Sequence, residues 1–244
     1  MRVATYNLLK GGTKRVHWRK LIEEHDVDLL LVQESGPQDQ HLSPLSHPDL
    51  QGQSVWDMAP PNRWGSAVFS TSGAVKQVQL SRFNGWVVGA HISGLTWRRK
   101  RRRPLLVFSV HVPYGPGGYV KQTLDLLDEI ARVAAGSDLI IGGDFNLSIS
   151  PERRTDKPLS KRLTTLHARL RKEFGLMNCW QEANPGQPPA QTLRWTGNRT
   201  IPYHCDGIFV PRRWRNRLQS CTVLSGADWD HLSDHNPVIA TFAD

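Results

Sequence analysis

The nine residues Asp138-Leu139-Ile140-Ile141-Gly142-Gly143-Asp144-Phe145-Asn146 restrict the chain's options more than any other stretch. Their apolar run is too short for a helix and is bounded by glycine, so it predicts a buried strand that leaves a core at Gly142. Asp144 and Asn146 stand two positions apart just past that exit. In extended backbone such positions point the same way, and two glycines allow a tight bend, so a carboxylate and an amide are aimed at one place.

The same arrangement recurs along the chain. Residues 3–7 read as a first strand that ends in the polar Asn7 and runs into a Gly11-Gly12 loop. Trp18, Leu21 and Ile22 fall at helical spacing with Arg19, Lys20, Glu23 and Glu24 opposite them, which predicts a short amphipathic helix. Residues 29–32 form a second buried strand that delivers Gln33 and Glu34 at its far end. Residues 35–62, rich in Pro, Gln, Ser and His and without a steady period, predict a long irregular segment over the site. Short β-rich runs at 66–71, 74–80 and 86–92 suggest antiparallel strands, and another at 105–112 ends on His111 and Pro113. Val120, Leu124, Leu127, Ile130 and Ala134 make the apolar stripe of a helix that returns the chain to the Asp144 strand. Leu163, Leu166, Leu170 and Phe174 mark a second helix, with Ser160 as its N-cap and Gly175 as its stop. Two β segments, 205–210 and 236–242, close the chain around the loop Leu232-Ser233-Asp234-His235. Strands dominate and helices are few, which fits two packed sheets with helices outside.

No linker of Pro, Gly and Ser divides the 244 residues, and 39% hydrophobic content suffices for a buried core, so one domain is expected. Cys179, Cys205 and Cys221 are too few and too scattered for a disulfide framework or a thiolate zinc site, which suits a reducing, cytoplasmic setting. Residues 1–7 lack the charged and apolar regions of a signal peptide, and no apolar run reaches the length of a membrane span. The 31 Lys and Arg against 22 Asp and Glu give a net charge of +9, which favours polyanionic partners: nucleic acid, anionic headgroups or phosphorylated small molecules.

Polar residues therefore stand at five separate strand ends: Asn7, Glu34, His111, Asp144 with Asn146, and Asp234 with His235. The ordered set Thr5-Tyr6-Asn7, Val32-Gln33-Glu34, His111-Val112-Pro113, Gly143-Asp144-Phe145-Asn146, Asp206-Gly207-Ile208-Phe209 and Ser233-Asp234-His235 resembles the endonuclease/exonuclease/phosphatase superfamily, the DNase I-like and exonuclease III-like hydrolases. The resemblance implies an α/β fold, a four-layer α-β-β-α sandwich of two mixed, mainly antiparallel sheets with flanking helices. It also implies a divalent metal and phosphoester hydrolysis.

The residues suit that chemistry in their own right. Glu34, Asp234 and the Asn7 amide offer hard oxygen ligands without a thiolate, which selects Mg²⁺ or Mn²⁺ over zinc. Asp144 is the candidate to orient and deprotonate an attacking water, with Asn146 holding that water or a phosphate oxygen. His235, partnered by the Asp206 carboxylate, is either a base or a charged stabiliser of the transition state. His111 resembles the position from which the family reaches a non-bridging phosphate oxygen.

The substrate is read from the surroundings. Arg98, Arg99 and Arg101 lie in a run of six cations that is either a phosphate-binding hairpin tip or a solvated one. Two further basic clusters follow, one between Arg153 and Lys172 and one containing Arg213. Trp97 and Trp214 either stack on bases or cover core, and Trp195 and Trp229, which stand shortly before two site motifs, either shape the substrate pocket, as aromatics near these places do in family members, or pack into the core. The leading expectation is a nuclease acting on DNA rather than RNA, as a monomer. The alternatives are a phosphatase or phosphodiesterase for phosphoinositides, sphingomyelin or small phosphate esters, and a non-catalytic nucleic-acid-binding module. His204 and Gly207 around Cys205-Asp206, and Leu147-Ser148 after Asn146, depart from the inositol-phosphatase pattern.

Overall fold

The computed structural model describes residues 1–12, 16–42, 53–94, 103–149, 160–195 and 203–243. In the first half of the chain, strands β1 (Arg2–Gly11), β2 (Leu29–Ser35), β3 (Ser54–Met58), β4 (Gly65–Ser70), β5 (Ala74–Val78), β6 (Val87–Ser93) and β7 (Leu105–His111) accompany helix α1 (His17–His25). The second half contributes α2 (Gly118–Val133), β8 (Asp138–Asp144), α3 (Lys161–Ala168), β9 (Leu176–Asn178), α4 (Cys179–Ala183), β10 (Asp206–Pro211), β11 (Leu218–Val223) and β12 (Val238–Phe242). They build two six-stranded sheets, ordered β11-β12-β1-β2-β4-β3 and β5-β6-β7-β8-β10-β9. Within them β1/β2 and β7/β8 are parallel and the remaining pairs antiparallel.

Side-chain alternation explains the layering. Val3, Leu29, Leu31 and Val68 of the first sheet meet Val88, Ala90, Val107, Ile140 and Ile208 of the second in one buried cluster. The opposite face of the first sheet packs Tyr6, Leu30, Val32 and Phe69 against Trp18 and Leu21 of α1. Phe108, Val110 and Ile141 turn outward from the second sheet onto Leu126, Leu127 and Ile130 of α2 and Leu166 of α3. Helix, sheet, sheet and helix follow one another, as expected.

Ser160 caps α3, its Oγ accepting from Leu163 N at 3.2 Å, and the helix continues as a π-type turn over Arg169–Glu173 before Gly175 ends it with φ +63. Two expectations need correction. The segment 35–62 is not irregular throughout, because β3 lies within it and pairs antiparallel with β4 as an edge strand. Both β9 with α4 and β11 were unanticipated; they are short, and β11 alternates buried and exposed positions too weakly to stand out. The polar loop expected after Asn146 falls largely outside the described residues.

Among the described residues, no helix is long and apolar enough to cross a membrane.

Candidate active site

The register of the second sheet sets His111 of β7 beside Asp144 of β8, and Asp144 beside Asp206 of β10. Gly143 allows this close pairing, since a Cβ there would lie 1.9 Å from the Val110 carbonyl oxygen. The first sheet brings Asn7 and Glu34 to the same rim. Asn7 Nδ2 donates to Asp144 Oδ2 at 3.1 Å and to Glu34 Oε1 at 3.3 Å, so one amide connects carboxylates from both sheets. Its orientation is set from behind, because Asn7 Oδ1 accepts from Leu9 N at 3.1 Å. Just below, the buried Gln33 Nε2 donates to Ser109 Oγ at 2.9 Å, and Ser109 Oγ donates to Val32 O at 2.8 Å, pinning the two sheets together.

Glu34 and Asn146 both adopt left-handed backbone, with φ +50 and +54, a conformation uncommon for residues with a Cβ. In each case hydrogen bonds hold it. Glu34 Oε2 accepts from Lys10 N at 2.7 Å. Asn146 N donates to Asp144 Oδ1 at 2.8 Å, and Asn146 Nδ2 donates to Val112 O at 3.1 Å. Asn146 thus braces Asp144 through its backbone.

The loop carrying Asp234 and His235 is tied to β1, as Ser233 Oγ donates to Asn7 O at 2.8 Å and accepts from His235 N at 3.1 Å. Arg194 clamps the same loop. Its backbone N donates to Asp234 O at 2.8 Å, and its guanidinium reaches Ser233 O at 2.6 Å, Asp230 and the Asn236 side chain. His235 Nδ1 lies 2.9 and 3.1 Å from the two oxygens of Asp206, and His235 Nε2 lies 3.7 Å from Asp144 Oδ2. Burial disfavours a charged His235, yet the Asp206 and Asp144 carboxylates outweigh it and raise the ring to about 10. An imidazolium therefore donates from Nδ1 to Asp206.

His111 behaves in the opposite way. Burial lowers it to about 4, against the pull of Asp144, so the ring is neutral. Its Nε2 stands 3.8 Å from both Glu34 Oε1 and Asp144 Oδ2, and Trp64 and Trp86 pack on it with ring centroids at 5.5 and 5.2 Å. Asp144 itself is raised, by burial first and then by the neighbouring Asp206 charge.

Two places could hold a divalent cation. Asp234 follows Ser233, whose Oγ ties the loop to the Asn7 backbone, and Asp234 Oδ1 is buried with no hydrogen-bond partner among the described residues. An orphaned carboxylate oxygen is a hard donor of the kind that suits an ion of the Mg²⁺ class. Asp144, Cys205, Asp206 and His235 also place ligand atoms within 4.8 Å of one another. That second group is already paired internally: burial pushes the Cys205 thiol up, and it donates to Asp206 Oδ2 at 3.4 Å while His235 donates to the same carboxylate. Asp234 Oδ1, by contrast, has no hydrogen-bond partner among the described residues to give up.

The peripheral residues divide. Trp195 is 50% exposed, stacks edge-on against Tyr203, and follows directly on Arg194. Trp229, only 4% exposed, is a correction: a turn stabilised by Trp229 N donating to Gly226 O directs it inward against Tyr6 and His25, under Lys20. Trp214 likewise covers core, packing on Phe242. Arg213 is not brought to the cluster but pairs with Asp138, at the opposite end of β8 from Asp144. Arg98, Arg99 and Arg101, with Trp97, lie outside the described residues. Sequence reasoning missed Gln33, Arg194, Trp64 and Trp86. Gln33 and Arg194 each adjoin a residue singled out for the site, whereas nothing in sequence marks the two tryptophans as neighbours of His111.

The two-sheet sandwich gathers carboxylates, amides and two oppositely tuned histidines at one rim. The chain belongs to the Endonuclease/Exonuclease/phosphatase family, whose model matches residues 4–235. Among solved structures it is similar to an AP endonuclease from Archaeoglobus fulgidus, at 16% identity over 100% of both chains with a TM-score of 0.70. It is similar also to the 3' phosphatase NExo from Neisseria bound to product DNA hairpin, at 18% identity over 100% of this chain and 99% of that one, TM-score 0.72. The Xenopus laevis APE2 catalytic domain matches at 17% identity over 99% and 91% of the two chains, TM-score 0.72. Among curated proteins, none matches the chain.

Proposed function

We propose that the protein is a divalent-metal-dependent nuclease that hydrolyses DNA phosphodiester bonds by in-line attack of water. The observation that carries the reading is the convergence of Asn7, Glu34, His111, Asp144 and the Asp206–His235 pair on one rim. Glu34 and Asp234 would hold the Mg²⁺ or Mn²⁺ ion, with Asn7 as a further ligand once its amide turns its oxygen toward them, and the ion would supply neutralisation of phosphate oxygens and of developing leaving-group charge. Asp144 orients the attacking water and takes its proton, a role helped by a carboxylate raised above its usual range. His235, kept charged by Asp206, donates from Nε2 to the phosphoryl oxygens as negative charge develops there, which favours the stabilising role over that of base. His111, neutral and fixed by Trp64 and Trp86, presents Nε2 to a non-bridging oxygen. Asn146 holds Asp144 in place and offers its side-chain oxygen to the water.

Nucleic acid is favoured over a small phosphoester by the net charge of +9 and by two exposed aromatics, Trp195 and Tyr114, the latter 78% exposed three residues beyond His111. A panel of Mg²⁺, Mn²⁺ and EDTA against supercoiled plasmid, abasic duplex, single-stranded RNA, a generic phosphodiester and inositol lipids tests it. Metal-dependent cleavage of one or both DNA substrates is expected. Release of phosphate from inositol lipids with both DNAs left intact would move the protein to the phosphatase side of the family, and inertness toward all five would remove the catalytic reading.

A further inference from the structure

The basic cluster around Arg213 is left without a part in the catalytic rim, and the structure shows where it goes. β10 runs from Asp206 at the rim to Pro211, and the 3₁₀ turn Arg212–Arg217 follows at the other end of the sheet. At ~3.3 Å per residue, that is ~20 Å from the catalytic carboxylates. There the 3₁₀ turn, the π-type turn Arg169–Glu173, edge strand β9 and α4 enclose a cleft of about 750 Å³.

Its lining is strongly cationic. Arg171, Lys172, Arg212, Arg213 and Arg215 contribute five positive charges against the single carboxylate of Glu182. Arg213 and Arg215 are held in place by Asp138 and Glu182. Arg171, Lys172 and Arg212 are exposed and have no ion pair among the described residues. The three unpaired cations sharing one concavity repel one another, a cost that a bound anion would remove.

A second observation is independent of charge. Two neutral polar groups lining the same cleft are left incomplete. Asn178 is 6% exposed and its Oδ1 accepts from Trp180 N and Gln181 N, while its Nδ2 is buried without a hydrogen-bond partner. His167 Nε2 is likewise buried and unpartnered, and burial keeps that ring uncharged. Orphaned buried polar atoms are rare enough in folded proteins to call for an account.

We infer that this cleft is a second anion site, which binds a phosphate group through Arg171, Lys172 and Arg212 at a distance from the catalytic rim. The phosphate is that of a nucleic-acid strand or of a free polyphosphate. Guanidinium groups suit it because their paired N–H donors match two phosphate oxygens at once. The site stands whether or not the catalytic reading holds.

The test is made in EDTA, which removes hydrolysis. Binding of inorganic pyrophosphate is followed by calorimetry, and binding of a labelled 20-nucleotide single strand by fluorescence anisotropy across a salt series. Wild type is compared with Arg171→Ser/Lys172→Ser/Arg212→Ser and with Asp144→Asn, with thermal unfolding midpoints showing that each is folded. The triple variant is expected to bind pyrophosphate at least tenfold more weakly, or to lose about two units of salt slope on the oligonucleotide, roughly 0.7 per lost contact to a single strand. The pyrophosphate loss identifies a free polyphosphate as ligand, and the oligonucleotide loss alone identifies a strand. Neither loss in a folded triple variant overturns the inference, as does a loss produced equally by Asp144→Asn.

Discussion

Asp144→Asn separates catalysis from folding at a single atom. The amide keeps the shape of the carboxylate and still accepts from Asn146 N, but it loses one of the two oxygens that Asn146 N and Asn7 Nδ2 now use. One buried hydrogen bond is worth ~1 kcal/mol. Against that loss, the wild-type carboxylate is disfavoured by its burial and by the neighbouring Asp206 charge, and the variant is relieved of both. The two effects offset, and the unfolding free energy should change by less than ~2 kcal/mol. Removing a general base, by contrast, costs ~10²–10⁴-fold in rate, or ~3–5.5 kcal/mol of barrier. Initial rates of plasmid cleavage with Mg²⁺ and urea unfolding in EDTA measure the two quantities on the same preparations. The unfolding data carry a pH signature. A carboxylate whose folded value is raised costs nothing while it is protonated in both states, and opposes folding as pH climbs from the unfolded value of 3.8 through the folded one. Wild type should therefore lose stability relative to the variant from about pH 4 upward. Cleavage within about threefold of wild type, under ~1 kcal/mol of barrier, would refute the assignment of Asp144 as base.

Glu34→Gln should raise the Mg²⁺ concentration needed for half-maximal cleavage by at least about tenfold, read from a metal titration; an unchanged requirement would shift the ion to the Asp144–Asp206 side. Trp195→Ala, at a half-exposed position, should change unfolding by less than ~0.5 kcal/mol. It should nonetheless weaken single-strand binding by ~1–3 kcal/mol while leaving a small phosphodiester's KM unaffected. Gly143→Ala forces a Cβ to within 1.9 Å of Val110 O and should lower stability by ~2 kcal/mol or more, with a matching fall in the urea midpoint. A midpoint equal to wild type would mean that β7 and β8 are not paired as described.

Sequence alone reached the site because each of its side chains sits where an apolar run stops. Residues 139–141 and 29–32 are continuous apolar runs, since both are central strands covered on two faces, and the polar residue after each marks the rim. Elsewhere in the chain that contrast fades. Edge strand β3 is half-buried along most of its length, so Ser54-Val55-Trp56-Asp57-Met58 has neither a clean alternation nor an apolar block. Trp229 shows a different limit: five residues from Asp234 in sequence, it was turned into the core by a reversal that no periodicity announces. Arg213 follows a strand that begins at the rim, and only the direction of β10 reveals that it ends on the far side.

The Asn7 amide, shared between carboxylates of separate sheets, makes alignment of the two layers a property of the reacting groups themselves. A slight slide of the layers, too small to expose any hydrophobic side chain, would change the Asn7–Asp144 contact while leaving the Asn7–Glu34 contact, which lies within the first sheet, as it was. Shaving a methyl group from the interlayer filling, as in Ile140→Val, is then a remote control on turnover, and rate should respond to it at temperatures where unfolding is still undetectable.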